Sequence, residues 1–517
     1  MQQVQQEESW FEVARDKIRT RFIVFLRRHK LKFLAGALLS AAMLFLLRAQ
    51  IQPMFLVVRE YSFILVFFVG YMLFLSAARM LRITYKIVVP LTLLVSCLVV
   101  VYVLTGTQHY IAGYLRQQAL HIVELDSLPL TVAERVQPLD SIYVQASEKI
   151  NETESVTIPD LVLESGKQKW VMEIFPTYLG QKLLKGKIKE LFVISATSAS
   201  PDFSRREDVL FGTGEHLLFS RNVRTNAIKS LSPMRYFNHF PTNVKVIPDG
   251  EGNWVQLISL ARYRGLFFPH IEFAGVHIIH QTSSKDTGFL ATLKRVTLGV
   301  GEFVPRNEIG RYDYLKGQNL IPYLSSRKVA ESFKFQKGFL SPIRTYHEGD
   351  IRIPKMEGNN NEMPYVLLFD GVGGKKGLYH YFGLEPFDEK KHGLSLSLFI
   401  PGDGMDRNVY IYDHSSKKES LTGASAIATK VMESKKNYDW SKNQPVENRP
   451  YIKDVAGERR FFWLTTVATV NDEGGLAGSI PEIVVTDAAT NFPTWVDSKN
   501  PQGWLEVITE QIKYIGE

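Results

Sequence analysis

The residues most suited to metal binding stand together at His347-Glu348-Gly349-Asp350. Successive side chains of a strand point to opposite faces, so His347 would oppose Glu348 and Asp350. A metal ion needs its ligands to converge, which these three could do only around a turn. The sequence therefore assigns no metal ligand here.

Two other sets of polar residues have partial metal-site patterns. His277 and His280 are three residues apart in a strand-like run, where their side chains would face opposite ways. Asp403–Asn408 has the composition of a calcium loop but lacks the alternating ligands and the closing Glu. A polar turn is the expected structure for Asp403–Asn408.

The glycine-rich stretch Gly371–Gly377 follows a strand-like run and invites comparison with phosphate-binding loops. Such a loop needs Ser or Thr directly after its Lys and then a helix. Here Lys376 precedes Gly377 and a second strand-like run, Leu378–Phe382. The pattern therefore predicts a hairpin turn.

Ser-x-x-Lys, the nucleophile spacing of penicillin-binding enzymes, occurs at Ser325–Lys328 and Ser415–Lys418. The Ser-Asp-Asn and Lys-Thr-Gly motifs that accompany it in those enzymes do not occur, and neither does a Gly-x-Ser-x-Gly or His-Glu-x-x-His motif. The sequence thus predicts no catalytic residue and no cofactor.

Strands dominate the part of the chain that would have to position such residues. Period-two or β-branched runs, separated by glycine-rich turns, predict antiparallel hairpins. The runs are Leu191–Ala196, Val244–Pro248, Trp254–Ala261, Ala274–His280, Pro364–Phe369, Leu394–Ile400, Val409–Tyr412, Phe461–Val470 and Ile483–Thr486. Fewer helices are expected, at Lys328–Phe333, Ala424–Lys435 and Trp504–Tyr514.

Two stretches of equal length, Asn253–His280 and Phe461–Ala488, share a pattern of a strand with Trp, a Gly-bearing turn, a Pro and a closing strand. This pattern predicts two related sheet lobes. The second stretch, through Val484–Ala488, also resembles the strand-rich repeats of small extracytoplasmic PepSY-type domains. Thr490 and Asn491 depart from the Thr-Gly of that pattern.

The aromatic residues, 12% of the chain, concentrate in runs such as Tyr379–Phe382 and Arg459–Trp463. Aromatic side chains on strands usually fill cores, which is the structure that we expect here. A ligand or partner groove is the alternative.

Charge and apolar residues divide the chain into two unlike parts. Residues 1–107 contain 13 Lys or Arg and 5 Asp or Glu, whereas the remainder contains 48 of each. The basic excess thus flanks apolar runs instead of covering a folded domain, which argues against nucleic-acid binding. The one cysteine, Cys97, excludes a disulfide framework.

Three apolar runs, Phe33–Leu47, Ser62–Ala78 and Ile87–Gly106, predict membrane spans. The third has about the length that a bilayer requires and the second is somewhat short, whereas the first reaches that length only if Arg48 extends its charged group outward to the interface. The basic residues before the first run and between the second and third predict a cytoplasmic N-terminus and an extracytoplasmic remainder. Residues 10–26 form an amphipathic basic pattern typical of a helix on the inner membrane surface.

The sequence thus predicts a membrane-anchored α+β protein with three N-terminal transmembrane helices and twisted antiparallel sheets in two lobes. The expected organisation is a cytoplasmic helix (1–30), a membrane anchor (31–106), a stalk and linker (107–155), and extracytoplasmic sheet-rich lobes (156–300 and 301–517). The expected place is a bacterial inner membrane facing the periplasm or cell exterior.

We expect a non-enzymatic scaffold or assembly factor that presents a β-rich domain to protein partners. Its expected partners are the lipid bilayer and other membrane or envelope proteins. Homo-oligomer formation is a further alternative, and nucleic acid is not an expected partner. The alternatives are a cell-envelope enzyme with an unrecognised site and a subunit of an oligomeric transport conduit.

Overall fold

A computed structural model describes residues 30–80, 89–97, 106–132, 134–184, 187–198, 202–282, 289–355, 363–388, 390–455, 457–470 and 482–497. By its contacts the chain divides into two compact units, residues 1–55 and 56–517. The α-helices are α1 (Lys30–Leu46), α2 (Arg48–Glu60), α3 (Ser62–Met80), α4 (89–97), α5 (Thr107–Gln118), α6 (Leu139–Ser147), α7 (Leu179–Leu184), α8 (Val223–Ser230), α9 (Pro233–Tyr236), α10 (Phe289–Thr297), α11 (Tyr323–Ser332) and α12 (Ala424–Ser434).

The described strands all follow α5, in runs of consecutive strands that the remaining helices separate. They are β1 (His121–Glu124), β2 (Leu130–Thr131), β3 (Glu154–Val156), β4 (Asp160–Glu164), β5 (Lys167–Pro176), β6 (Glu190–Ser195), β7 (Phe203–Arg206), β8 (His239–Pro248), β9 (Trp254–Arg264), β10 (His270–His280), β11 (Glu302–Pro305), β12 (Ile351–Arg352), β13 (Tyr365–Val372), β14 (Lys375–Pro386), β15 (Leu396–Pro401), β16 (Asn408–Asp413), β17 (Asn443–Val455), β18 (Glu458–Thr469), β19 (Glu482–Asp487) and β20 (Pro493–Asp497).

Among the described residues, α3 alone is long and apolar enough to cross a membrane by itself. The first predicted span falls on α1, which ends at Leu46; only Leu34–Leu46 and α2 together pass the same test, with a bend of 80° between them. The third predicted span, Ile87–Gly106, lies partly outside the described residues. The described helices thus do not support three spans, because α1 is followed by this bend and by the more polar α2.

The central sheet has seven strands, in the order β1-β16-β15-β14-β13-β2, with β12 also paired to β14. β1 runs parallel to β16, with His121 opposite Asn408. The other described pairs in this sheet are antiparallel. Its middle strands are almost entirely buried, as expected for strands covered on both faces.

Two further sheets are four-stranded antiparallel meanders, β8-β9-β10-β11 and β17-β18-β19-β20. The two stretches that share a sequence pattern form the middle hairpins of these sheets, β9–β10 and β18–β19. Helix α12 packs on the second meander through Ala424, Ile427 and Val431, which recur at helical spacing and are buried.

The fourth sheet contains β3, β5, β6 and β7 in that order, with β4 paired to β5. Its Trp170 and Ile194 contribute to an apolar cluster that includes Val366 and Leu368 of the central sheet. A larger cluster, which contains Val171, joins all four sheets. The aromatic runs lie in these cores, as predicted: Tyr379, Tyr381, Phe382, Phe461, Phe462 and Trp463 are buried.

The sheets do not follow the predicted domain bounds. The predicted stalk and linker, residues 107–155, supplies β1 and β2 to the central sheet. β11, after residue 300, completes the meander that begins at β8. Strands of two to four residues carry too little periodicity to be recognised in a sequence, and only their distant partners stabilise them.

All nine predicted strand runs and both internal helices occur, with ends shifted by a few residues. The expected helix Lys328–Phe333 coincides with the second half of α11. The predicted helices at 10–26 and Trp504–Tyr514 lie outside the described residues.

Candidate binding cleft and buried polar clusters

A cleft of about 1140 Å³ opens between α11 and the start of β13. Its floor contains the buried side chains of Trp170, Met363 and Tyr365. One wall is formed by α11, whose spacing turns Leu324 and Arg327 to the same side. The lining also includes residues of β12 and the segment after it, of α6 and of β17: Arg352, Ile353, Pro354, Lys355, Leu139, Asp140 and Glu447, together with Arg135.

The cleft has a cationic lining. Five Lys or Arg and three Asp or Glu side chains line it. Leu324 is 46% exposed at its edge. The arrangement places charged groups around an apolar and aromatic floor, which suits a ligand with carboxylates and apolar side chains.

One end of the cleft is fixed by an ionic cluster of Arg135, Glu447 and Arg449. Arg135 is buried, donates hydrogen bonds to the Glu447 carboxylate, and lies 5.1 Å from the centre of the Trp170 ring. Arg449 Nη1 also donates to Glu447 Oε2, at 3.2 Å. Burial lowers the pKa of Arg449 to about 10, an effect that the Glu447 charge opposes.

Glu447 reaches both guanidinium groups because of a bulge in β17. The register with β18 shifts between Val446 and Asn448, and Glu447 has a φ of +56°. A non-glycine residue in the left-handed region is strained, and bulges commonly re-aim a side chain at the expense of regular pairing.

A second polar cluster joins Ser397, His414 and Glu419. Ser397 Oγ lies 3.0 Å from His414 Nε2, and His414 Nδ1 lies 2.7 Å from Glu419 Oε2. This is the order of a nucleophile, a base and an orienting carboxylate. Ser397 and His414 have no exposed surface, and Tyr381 hydroxyl also contacts Ser397 Oγ at 3.0 Å. With no access for a substrate, the cluster links β14, β15 and the turn after β16.

A third cluster, Ser326, His380 and Asn319, connects α11 to β14. His380 Nδ1 lies 2.6 Å from Ser326 Oγ, and His380 Nε2 lies 2.7 Å from Asn319 Oδ1. Because an amide oxygen only accepts, the proton is assigned to Nε2 and Nδ1 accepts from the serine. Burial lowers the pKa of His380 to about 3, helped by the nearby Lys245 charge. The imidazole therefore stays neutral and serves as a structural link.

Buried or half-buried carboxyl groups lie where the fourth sheet meets β8 and β9. Glu173 on β5 is 3% exposed, and its Oε1 accepts a 2.5 Å hydrogen bond from Gln256 Nε2. Burial raises the pKa of Glu173 to about 7, and the Glu215 charge adds to this effect. Burial also raises the pKa of Asp160 and lowers that of Lys245, although the attraction between these two groups opposes both changes.

The predicted metal candidate at His347 forms a turn at Gly349, which has a φ of +63°. His347 Nδ1 lies 3.2 Å from Asp350 Oδ2, whereas Glu348 accepts a hydrogen bond from the Tyr346 hydroxyl. The histidine ring also stacks on Phe387, at 4.0 Å between ring centres. No group of three His, Cys, Asp or Glu suited to a metal ion occurs among the described residues.

His277 and His280 do face opposite ways on β10, the first buried and the second exposed.

Gly371–Gly374 forms the turn of the β13–β14 hairpin, as predicted. Asp403 and Asp406 accept backbone hydrogen bonds from Gly317, Met405 and Asn408, which makes Asp403–Asn408 a polar turn. In the first of the two Ser-x-x-Lys motifs, the lysine contacts a carboxylate: Lys328 Nζ donates a hydrogen bond to Glu331 Oε2 at 2.7 Å.

The cleft and the clusters around Glu447, Ser397 and His380 have no recognisable motif in the sequence. The available signal was weak: Ser397 and His380 are polar residues within runs that otherwise predict buried strands. Buried polar side chains need partners, but the partners lie 54 residues away for His380 and 312 for Glu447.

No protein-family model, curated protein or solved structure matches this chain.

Proposed function

We propose that the protein is a non-enzymatic, membrane-anchored scaffold or assembly factor that presents its β-rich unit to protein partners on the extracytoplasmic side. The observation that carries this proposal is the cleft between α11 and β13, with its aromatic, Met and Arg side chains. Protein interfaces are enriched in these residue types.

The chemistry of the cleft indicates which part of a partner it would bind. Cationic side chains outnumber carboxylates in its lining, and its floor is apolar and aromatic. A partner segment with acidic residues beside an apolar side chain complements both features.

The contacts of α3 support the extracytoplasmic location. Ser62, at its amino end, and Arg59, at the end of the preceding helix α2, donate hydrogen bonds to the loop between β9 and β10. Its other end carries Arg79 and is followed by Arg82 and Lys86. The positive-inside rule assigns that basic end to the cytoplasm, so the end that contacts the folded unit would lie outside.

Site-specific photocrosslinking in the native host tests the proposal. A photoreactive amino acid replaces Leu324 at the cleft or, as the control, Tyr178, which is 55% exposed and does not line the cleft. We expect a discrete protein adduct at Leu324 and none at Tyr178. Changing Arg327 and Lys334 to Glu should reduce the Leu324 adduct several-fold, because it reverses the charge that attracts an acidic segment.

Three results would contradict the scaffold: no protein adduct at Leu324, equal adducts at both positions, or an adduct insensitive to the charge reversal. Turnover of an envelope substrate by the purified protein would favour the enzyme alternative.

A further inference from the structure

The loop between β9 and β10 exposes two large apolar side chains beside α3. β9 ends at Arg264 and β10 begins at His270, so Gly265–Pro269 forms the hairpin tip. Leu266 and Phe267 are each 54% exposed there. Water exposure of two adjacent large apolar groups is unfavourable, which raises the question of what covers them.

The backbone of this tip is fixed to the start of α3. Arg59 Nη2 donates to Gly265 O at 2.7 Å, and Ser62 Oγ donates to Leu266 O at 2.5 Å. The Tyr263 hydroxyl donates to Glu60 Oε2 at 3.3 Å. The tip therefore lies at the level at which the apolar helix α3 begins.

These contacts also give the carbonyl groups of the loop hydrogen-bond donors that do not depend on water. Non-helical backbone that approaches the hydrocarbon region of a membrane needs partners for its polar groups, because little water is available there. The carbonyl oxygens of Gly265 and Leu266 both have side-chain donors from the α2–α3 junction. Gly265 has a φ of +88°, and a Cβ atom there would approach Phe268 O to 3.0 Å, so glycine suits this tight turn.

Cationic groups lie on the strands directly next to the tip of the same hairpin. Arg262 and Arg264 both contact the single carboxylate of Glu272, at 3.1 and 3.4 Å, and Arg264 is 57% exposed. Two guanidinium groups and one carboxylate leave a net positive charge behind an apolar tip. Segments that lie in a lipid interface combine apolar groups with cations in this way, because the cations reach the phosphate level.

We propose that the tip of the β9–β10 hairpin inserts Leu266 and Phe267 into the outer lipid leaflet beside α3. The folded unit is then held on the membrane surface by its own hairpin as well as by the helical anchor. This inference rests on the membrane anchoring in the proposed function, since the bilayer level is set by α3.

Spin-label accessibility in the full-length protein tests the insertion. Cys97→Ser removes the one native cysteine, and single cysteines are then introduced as Phe267→Cys, Phe492→Cys or Phe68→Cys. Phe492 is the matched control, since it is also a hairpin-loop phenylalanine and is 57% exposed. Phe68, on α3 and 59% exposed, reports on the span itself.

Each labelled protein is reconstituted into phosphatidylcholine–phosphatidylglycerol vesicles and measured with oxygen, which partitions into lipid, and with a water-soluble nickel chelate. We expect the ratio of oxygen to nickel accessibility at residue 267 to exceed that at residue 492 several-fold. Leu266→Cys provides a second report from the tip.

A water-like ratio at residues 266 and 267 with a lipid-like ratio at residue 68 would overturn the hairpin insertion and leave the membrane anchor intact. A water-like ratio at residue 68 would instead contradict the anchor in the proposed function, and the inference would fail with it.

Discussion

Glu173 on β5 accepts a hydrogen bond from Gln256 on β9, and its pKa of about 7 couples folding to pH. The unfolded carboxyl group has the ordinary pKa of 4.5 and so loses its proton at lower pH than the folded one. The folded state therefore binds more protons between these values. The contribution of this group to stability is complete below pH 4.5 and is lost as the pH rises towards 7.

From pH 5 to pH 8 we expect this group to lower the free energy of unfolding by roughly 3 kcal/mol. Glu173→Gln should remove that part of the pH dependence. Guanidinium denaturation of the detergent-solubilised protein at both pH values measures the difference. Glu148→Gln, at an exposed glutamate, is the control. An identical pH dependence in Glu173→Gln and wild type would contradict the assignment.

Ser326 supplies a hydroxyl group to the buried Nδ1 of His380. Ser326→Ala would leave that acceptor without its donor, which should cost about 1–3 kcal/mol of stability. The same denaturation experiment measures this loss. Ser147→Ala removes an exposed helical serine hydroxyl and should change stability by less than about 0.5 kcal/mol. Equal effects of the two changes would show that the His380 cluster is not a structural link.

At the scale of elements, the meander β8–β11 depends on a close approach at Gly275. This residue has a φ of +140° at the bulge in β10, and a Cβ atom there would overlap the backbone of Val304 and Pro305 on β11. The strand β11 can pair with β10 at this point because glycine has no side chain.

Gly275→Ala should therefore destabilise the protein by roughly 3 kcal/mol or more, from backbone strain and overlap together. Gly250→Ala is the control, because Gly250 also has a positive φ, +84°, but has open space around its Cα. Its cost should be about 1 kcal/mol, from strain alone. Thermal unfolding in detergent measures both, and a smaller loss for Gly275→Ala than for Gly250→Ala would contradict the close approach.

At the scale of the whole molecule, the proposed topology puts the two ends of α3 on opposite sides of the bilayer. In the Cys97→Ser background, Thr84→Cys would lie in the cytoplasm and Glu152→Cys, at an exposed position, outside. An impermeant maleimide added to intact cells, with any outer membrane permeabilised, should label only Glu152→Cys. Lysed cells provide the control, in which both should react. Labelling of Thr84→Cys alone in intact cells would invert the topology.

The sequence alone determined the local features of the fold. Alternating apolar residues predicted strands such as β9 and β18, and the glycine-rich stretch predicted the turn at Gly371–Gly374. These predictions succeed because side-chain alternation and left-handed turn residues are properties of a few consecutive residues. The same reasoning placed the aromatic runs in the core.

Only the tertiary structure decided which distant segments meet. It paired β1 with β16, turned Glu447 toward Arg135 through a bulge, and opened the cleft beside α11. It also brought the loop at Gly265 to Arg59, 206 residues earlier. Strand pairing and cleft formation depend on the packing of whole sheets, in which many pairings satisfy the same local pattern, so no short stretch of sequence specifies them.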